Sequence, residues 1–142
     1  LHEIGRLVIY AKIPELARAA ILLAKAEGMD EVKAERETYG FDHYQLAAAL
    51  VHRWRLPEVF GATLRWHGVP HEAGAFSRET GLVTLASQLS LAGVEKPDGL
   101  EPILPELAPL LAFLHLKPSC LPEVLEEVAI QFEEVFRLLF RG

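Results

Sequence analysis

The stretch from Gly40 to Gly68, GFDHYQLAAALVHRWRLPEVFGATLRWHG, constrains the fold most, because it carries the start and stop signals of two short amphipathic helices. Gly40 suits the left-handed end of a preceding helix, since it has no Cβ to clash. Asp42, with Gln45 three residues on, spells a capping box, and Phe41 can staple onto Leu46. Ala47, Leu50 and Trp54 follow His43 by 4, 7 and 11 residues, so His43 shares their apolar face. His52 lies about 180° round the helix from His43 and points outward. Arg55 closes this helix, and Pro57 suits the first position of the next. There Phe60, Leu64 and His67 fall at i, i+4 and i+7, so a second apolar face ends in a histidine. The pattern places Phe41, Leu46, Leu50, Trp54, Phe60 and Leu64 at the centre of one core.

An inward histidine on each of two consecutive helices has two readings. One is a pair of hydrogen-bonded core histidines, which carry out no chemistry. The other is a working or remnant metal or phosphate site, because neutral imidazole is a common ligand.

The rest of the chain reads as helices separated by glycine and proline. A first helix is expected from His2 to Ala11, with Ile4, Leu7, Val8 and Ala11 as its stripe. Pro14 opens a second through Glu27, and Asp30 caps a third, Glu31 to Tyr39, whose charge run EVKAERE reads as a solvated face. VPHEAGAFSRET is turn-rich, and its His71-Glu72 pair reads as polar surface. A helix from Gly81 to Leu91 is expected to bury Leu82, Leu85 and Leu89. The proline- and glycine-rich GVEKPDGLEP, residues 93–102, is the best internal boundary. A helix from Ile103 to Leu116 is interrupted by Pro105 and Pro109. A final helix, Pro122 to Phe140, sets Leu125, Val128, Phe132, Val135 and Leu139 opposite Glu123, Glu126, Glu127, Glu133 and Glu134. That stripe is expected to bury against the domain or a second copy; left exposed, it would be a docking surface. No alternating strand and no repeat occurs. The class is therefore all-α, a compact bundle of short helices with a long C-terminal amphipathic helix.

A chain of 142 residues with 51% apolar and 24% charged side chains suits one soluble domain. Its net charge of −6 and scattered basic residues argue against a nucleic-acid partner. No apolar run reaches the roughly 18 residues of a membrane span, and no signal-peptide pattern opens the chain. Cys120 stands alone, which excludes an internal disulfide framework and suits a cytoplasmic location. Leu1 is not an initiator methionine, and the chain opens inside a helix-like pattern, as a fragment would.

The opening LHEIGRLVIY resembles the His-Asp-Ile-Gly-Lys/Arg-Leu signature of the HD superfamily of metal-dependent phosphohydrolases. GFDHYQLAAALVHRWRLPEVFGATLRWHG narrows the likeness to the HDOD family, the HD-related output domains of bacterial signalling. That family reads Gly-x-Asp-His, an Ala- and Leu-rich helix, Trp-x-Leu-Pro and a helix ending near histidine. The likeness runs from His2 to about Ala92. It implies that residues 1–93 are the C-terminal part of an HDOD/HD-like domain and residues 94–142 a helical extension packed on it or on a partner.

The resemblance puts His2 in the histidine position of the metal-binding doublet, with Glu3 where the family has aspartate. The later aspartate of the active enzymes aligns with Ser87, a poor counter-charge for a divalent cation. His43 and His67 sit where the HD-GYP group has further metal histidines, but His-His-Glu has become His67-Gly68-Val69. His2, Glu3, His43 and His67 are thus vestigial metal candidates, with no catalytic residue, cofactor or metal expected. Two functions follow. The first is a non-catalytic regulatory or interaction module, partnered by a signalling protein, an attached regulatory domain or a second copy. The alternative is a divergent phosphohydrolase using a divalent metal on those four residues. A metal-free nucleotide pocket is weaker, for want of a glycine-rich loop; Arg6 and Arg65 are the candidates to meet phosphate, and each reads more simply as a surface or ion-paired side chain.

Overall fold

The computed structural model describes residues 2–94 and 97–140, and among them every regular element is helical. In chain order these are α1 (Ile4–Lys12), α2 (Pro14–Glu27), α3 (Glu31–Tyr39), α4 (His43–Arg53), α5 (Glu58–Trp66), α6 (Ser77–Leu91), α7 (Leu104–Phe113) and α8 (Leu121–Phe140). The chain divides into two compact units, residues 1–80 and 81–142, so the division falls inside α6. Glu95 and Lys96, in the expected boundary segment, lie outside the described residues, as does Leu1.

The punctuation residues act as their chemistry dictates. Gly28 and Gly40 end α2 and α3 with φ of 61° and 85°, and Asp30 caps α3 by accepting from the Val32 and Lys33 amides. At α4 both halves of the Asp42–Gln45 capping box are made, which fixes the helix start and with it the phase of His43. The seven residues Pro70–Phe76 form 3₁₀ turns with a kink at Gly74, in the segment expected to be turn-rich. Helix α7 runs through Pro109 without a break. Pro109 lacks only the amide that would bond Pro105, close to the helix start, where the loss matters least.

The first unit differs from the expected core. Trp54 and Phe60 are about half exposed, and Phe41, Leu46 and Leu50 are only partly buried. The buried face of α4 is His43, Ala47 and Val51, packed with Leu64 of α5 and Ile4 of α1. Two physical causes account for the shift. Helix α4 ends at Arg53, so Trp54 is its cap, and Arg55 at φ 57° turns the chain away. Meanwhile α1 crosses α4 at backbone contact: a Cβ added at Gly5 would stand 2.0 Å from the His43 carbonyl oxygen. So close a crossing admits alanine at position 47 and pushes larger side chains to the flanks.

The second unit is a leucine core of Leu85, Val94, Leu100, Leu107, Leu111, Leu114, Leu121 and Leu125. Leu82, expected inside, is 47% exposed, since the buried face of α6 runs through Gly81, Thr84 and Leu85, about 100° round the helix from it. Leu121, Leu125, Val128, Phe132, Val135 and Leu139 alternate spacings of four and three along α8, the seam of a helix that meets another helix. Only the first two are buried. Val128, Phe132, Val135 and Leu139 are 52–69% exposed, so the expected burial of the whole stripe does not occur within one chain. Among the described residues no single helix is long and apolar enough to cross a membrane.

Candidate functional site

The site lies wholly in the first unit, where α1, α3 and α4 and the end of α5 bring ionisable groups together. His43 is 1% exposed, and its environment is fixed on both ring nitrogens. Its Nδ1 lies 2.7 Å from Glu35 Oε2, which also accepts the His43 backbone amide at 2.9 Å. A carboxylate can only accept, so Nδ1 carries the hydrogen and Nε2 keeps the lone pair. That lone pair accepts from Arg6 NH2 at 3.2 Å. Burial raises the Glu35 carboxyl, but the two hydrogen bonds from His43 outweigh it and leave the group below its ordinary value.

Arg6 is the hub. Its Nε lies 3.0 Å from Glu3 Oε2 and its NH1 lies 3.0 Å from Glu31 Oε2, so the three guanidinium nitrogens meet Glu3, Glu31 and His43. The other Glu3 oxygen, Oε1, faces His67 Nε2 at 3.7 Å and His2 Nε2 at 3.8 Å. Hydrogen bonding with His67 holds the Glu3 carboxyl down to about 2 against the effect of burial, with Arg6, His43 and His2 adding their attraction. Burial lowers the His2 pKa, helped by His67, so its neutral imidazole is favoured. The His67 Nδ1 points at the Leu64 carbonyl at 3.2 Å, an arrangement that turns Nε2 toward Glu3.

Three of the four sequence candidates thus meet directly. One ligand atom each from His2, Glu3 and His67 lies within 4.8 Å of the others, while His43 reaches Glu3 only through Arg6. Ser87 belongs to the second unit and brings no carboxylate. At Gly68 a Cβ would stand 3.1 Å from the Tyr44 ring, whose edge contacts link His43 and His67 at centroid distances of 4.1 and 4.4 Å. Tyr44 therefore fills the space beside His67 where a further side chain would reach.

The charge run of α3 is the largest correction. Glu35 is 7% exposed rather than solvated, and Arg36 Nε donates to the fully buried Asp42 at 2.7 Å. Arg65 also reaches Asp42 at 3.7 Å and lies over the Trp66 ring, so Arg6 and Arg65, the two arginines considered for phosphate, are both ion-paired. The missed signal was phase: Asp30 fixes where α3 starts, and Ala34, fully buried, marks Glu35 as its neighbour on the inner face. Tyr44 could have been found from its place after His43, one position round from the inner face.

A divalent metal of the kind this scaffold implies does not fit these donors well. Magnesium- and manganese-type ions favour several oxygen ligands, yet one carboxylate is offered here, and Arg6 already shares it. His43 offers no free lone pair to a metal. An open groove of about 970 Å³ between α4, α5 and the 3₁₀ turns is lined by Ala48, His52, Gly61, Arg65, Trp66 and Phe76 among others. None of His2, Glu3, His43 or His67 lines it.

Residues 1–70 match the family model of the HDOD domain. The chain is also similar in fold to a protein named "Putative phosphohydrolase" from Shewanella amazonensis SB2B, known from its crystal structure. That likeness has a TM-score of 0.71 and 24% sequence identity, and it covers 89% of this chain and 46% of the other. The chain thus spans about half the length of that protein. No curated protein matches it. Residues 1–70, the part that carries the capped histidine helix and the Gly5 crossing, thus match an HDOD domain.

Proposed function

We propose that this chain is a non-catalytic regulatory and protein-interaction module of bacterial signal transduction, built on a degenerate HD scaffold. The observation that carries the reading is the outer half of α8. Val128, Phe132, Val135 and Leu139 continue a seam whose first residues are buried, and then stand exposed. Leaving such a face in water is unfavourable, and it suits a helical partner: a signalling protein, an attached regulatory domain or a second copy. The ion-paired donor set of the first unit supports the absence of turnover, and a cytoplasmic setting fits the lone cysteine. Light scattering across a concentration series, with Phe132→Glu and Leu139→Glu, tests the interaction face. The wild-type chain self-associates or captures a partner helix, and the double variant does neither at unchanged stability. Behaviour identical in the two proteins removes the face from the function.

A second reading, a divergent metal-dependent phosphohydrolase, draws on the His2–Glu3–His67 group. There a bound metal would supply a Lewis acid and an activated water. Elemental analysis after metal-supplemented expression, with turnover assays on cyclic dinucleotides and a generic phosphodiester, separates the two. Stoichiometric metal with turnover assigns the enzyme, and metal-free protein without turnover assigns the module.

A further inference from the structure

We infer that the exposed seam of α8 pairs with the same seam of a second copy of this chain, antiparallel, about a two-fold axis between Phe132 and Val135. The inference rests on the interaction-module reading and names the occupant of its face. Leu121 and Leu125 begin the seam inside the leucine core, and Val128, Phe132, Val135 and Leu139 continue it into solvent. An antiparallel partner in this register sets Val128 against Leu139 of the second copy, and Phe132 against its Val135. All four exposed positions are then used, and each layer joins one large side chain to one small one. Layers of equal volume interdigitate without voids. A parallel pair would instead stack phenylalanine on phenylalanine and valine on valine, so that full and underfilled layers alternate.

The flanks of the seam favour a copy of this chain over a different helix. Charged residues beside a helical seam select a distinct partner and set its direction. Here the flanking positions hold Pro122, Val124, Ala129, Gln131, Phe136 and Leu138, none of them charged. Gln131, the one polar side chain among them, already donates to Glu127 at 3.0 Å. Glu123, Glu126, Glu127, Glu133 and Glu134 lie on the opposite side, where Arg137 pairs with Glu133 at 3.0 Å. Two copies therefore meet without opposing like charges and without burying a carboxylate. The same acidic side argues against an anionic membrane, which attracts helices with a basic polar face. The area is also sufficient. Val128, Phe132, Val135, Phe136, Leu138 and Leu139 are each 46–81% exposed. At about 200 Å² for a whole large apolar side chain, they offer on the order of 600 Å² per copy, the low end of specific interfaces.

Sedimentation equilibrium of the full chain tests this. At a concentration on the order of 100 μM the wild type approaches twice the monomer mass. Phe132→Glu and Val135→Lys, both at exposed positions, each weaken association about 10-fold or more, with thermal melts by circular dichroism unchanged. Mixed in equal amounts, these two variants recover the dimer, because the new carboxylate of one meets the new ammonium of the other. Phe132→Glu mixed with Phe132→Lys does not, since those positions oppose each other only in a parallel pair. The reverse pattern of rescue overturns the antiparallel register. A wild type that stays monomeric at this concentration defeats the inference alone and leaves the face to a different helix. A dimer that every variant leaves intact uses another surface, and defeats both the inference and the role given to this face. Co-sedimentation of the wild type with phosphatidylglycerol vesicles, lost in Phe132→Glu, assigns the face to a lipid surface and overturns the inference.

Discussion

The two units bury different chemistry. The first encloses Glu35, Asp42, His43, Thr63 and His67 among alanines, with Gly5 pressed against the α4 backbone. The second encloses seven aliphatic residues around Leu111 and, of the polar residues, Thr84. Buried polar groups are tolerated only when partnered, and their hydrogen bonds have direction, so they hold a core to one geometry. A leucine core is held by volume and area, which many arrangements satisfy. The contrast separates a core held by directed polar bonds from one held by volume.

If the first unit depends on geometry, its largest response should come from the smallest change of volume. Gly5→Ala adds one methyl, but at 2.0 Å from the His43 carbonyl it must drive α1 and α4 apart. The Arg6–His43 and Glu35–His43 bonds are then stretched together. The expected loss is about 4 kcal/mol or more, among the exceptional effects of single substitutions. Chemical denaturation of the variant measures it, and a loss below about 1 kcal/mol would mean that the helices part freely and the close crossing has no energetic role.

The second unit should answer to volume instead. Leu111 is 2% exposed in the leucine core, so Leu111→Ala removes buried area and leaves a cavity, costing about 2–5 kcal/mol. Leu111→Met, which nearly conserves volume, should cost under about 1.5 kcal/mol. Equal losses from the two variants would show that this core, too, is held by a specific geometry. Trp54→Ala, by contrast, should change stability by less than about 1 kcal/mol, because Trp54 is 51% exposed beyond the end of α4. Denaturation midpoints suffice for this check; a loss near 3 kcal/mol would return Trp54 to the core.

How much of this was legible follows the same division. Helix order, the Asp42–Gln45 box, the glycine ends and the all-α class could be read, because each rests on local rules. So could the convergence of His2, Glu3 and His67, through family resemblance rather than periodicity. What could not be read depends on the distance between helices. The α4 stripe of His43, Ala47, Leu50 and Trp54 is sound on a helical wheel. The Gly5 crossing then rotates the buried arc to His43, Ala47 and Val51. Glu35 and Arg36 sit in a run that composition assigns to solvent, and only the buried partners His43 and Asp42 draw them inward. The α8 seam was visible as a pattern, but a pattern alone does not say whether its partner lies within the chain.

The smallest expected effect concerns acid. Glu3 is held at about 2 in the folded chain by His67 first, with Arg6, His43 and His2 assisting, against an ordinary value of 4.5. Its contribution to stability is therefore fully present above about pH 4.5 and is lost as the pH falls through about 2. Glu35 is shifted in the same direction, so it adds loss of the same sign on the acid side. The Glu3 side chain is 42% exposed, and solvent screening keeps its share modest. The loss should nonetheless be local, because Glu3 ties the start of α1 to His67 at the end of α5 and Glu35 ties α3 to His43 of α4. Amide exchange followed by NMR between pH 5 and pH 2 reads it residue by residue. Protection in α1 and α4 should fall before protection around Leu107 and Leu111, and Glu3→Gln should weaken the acid dependence of the first unit. If both units lose protection together, or the α7 core goes first, the polar network is not what acid attacks, and the two cores differ in composition without differing in what holds them.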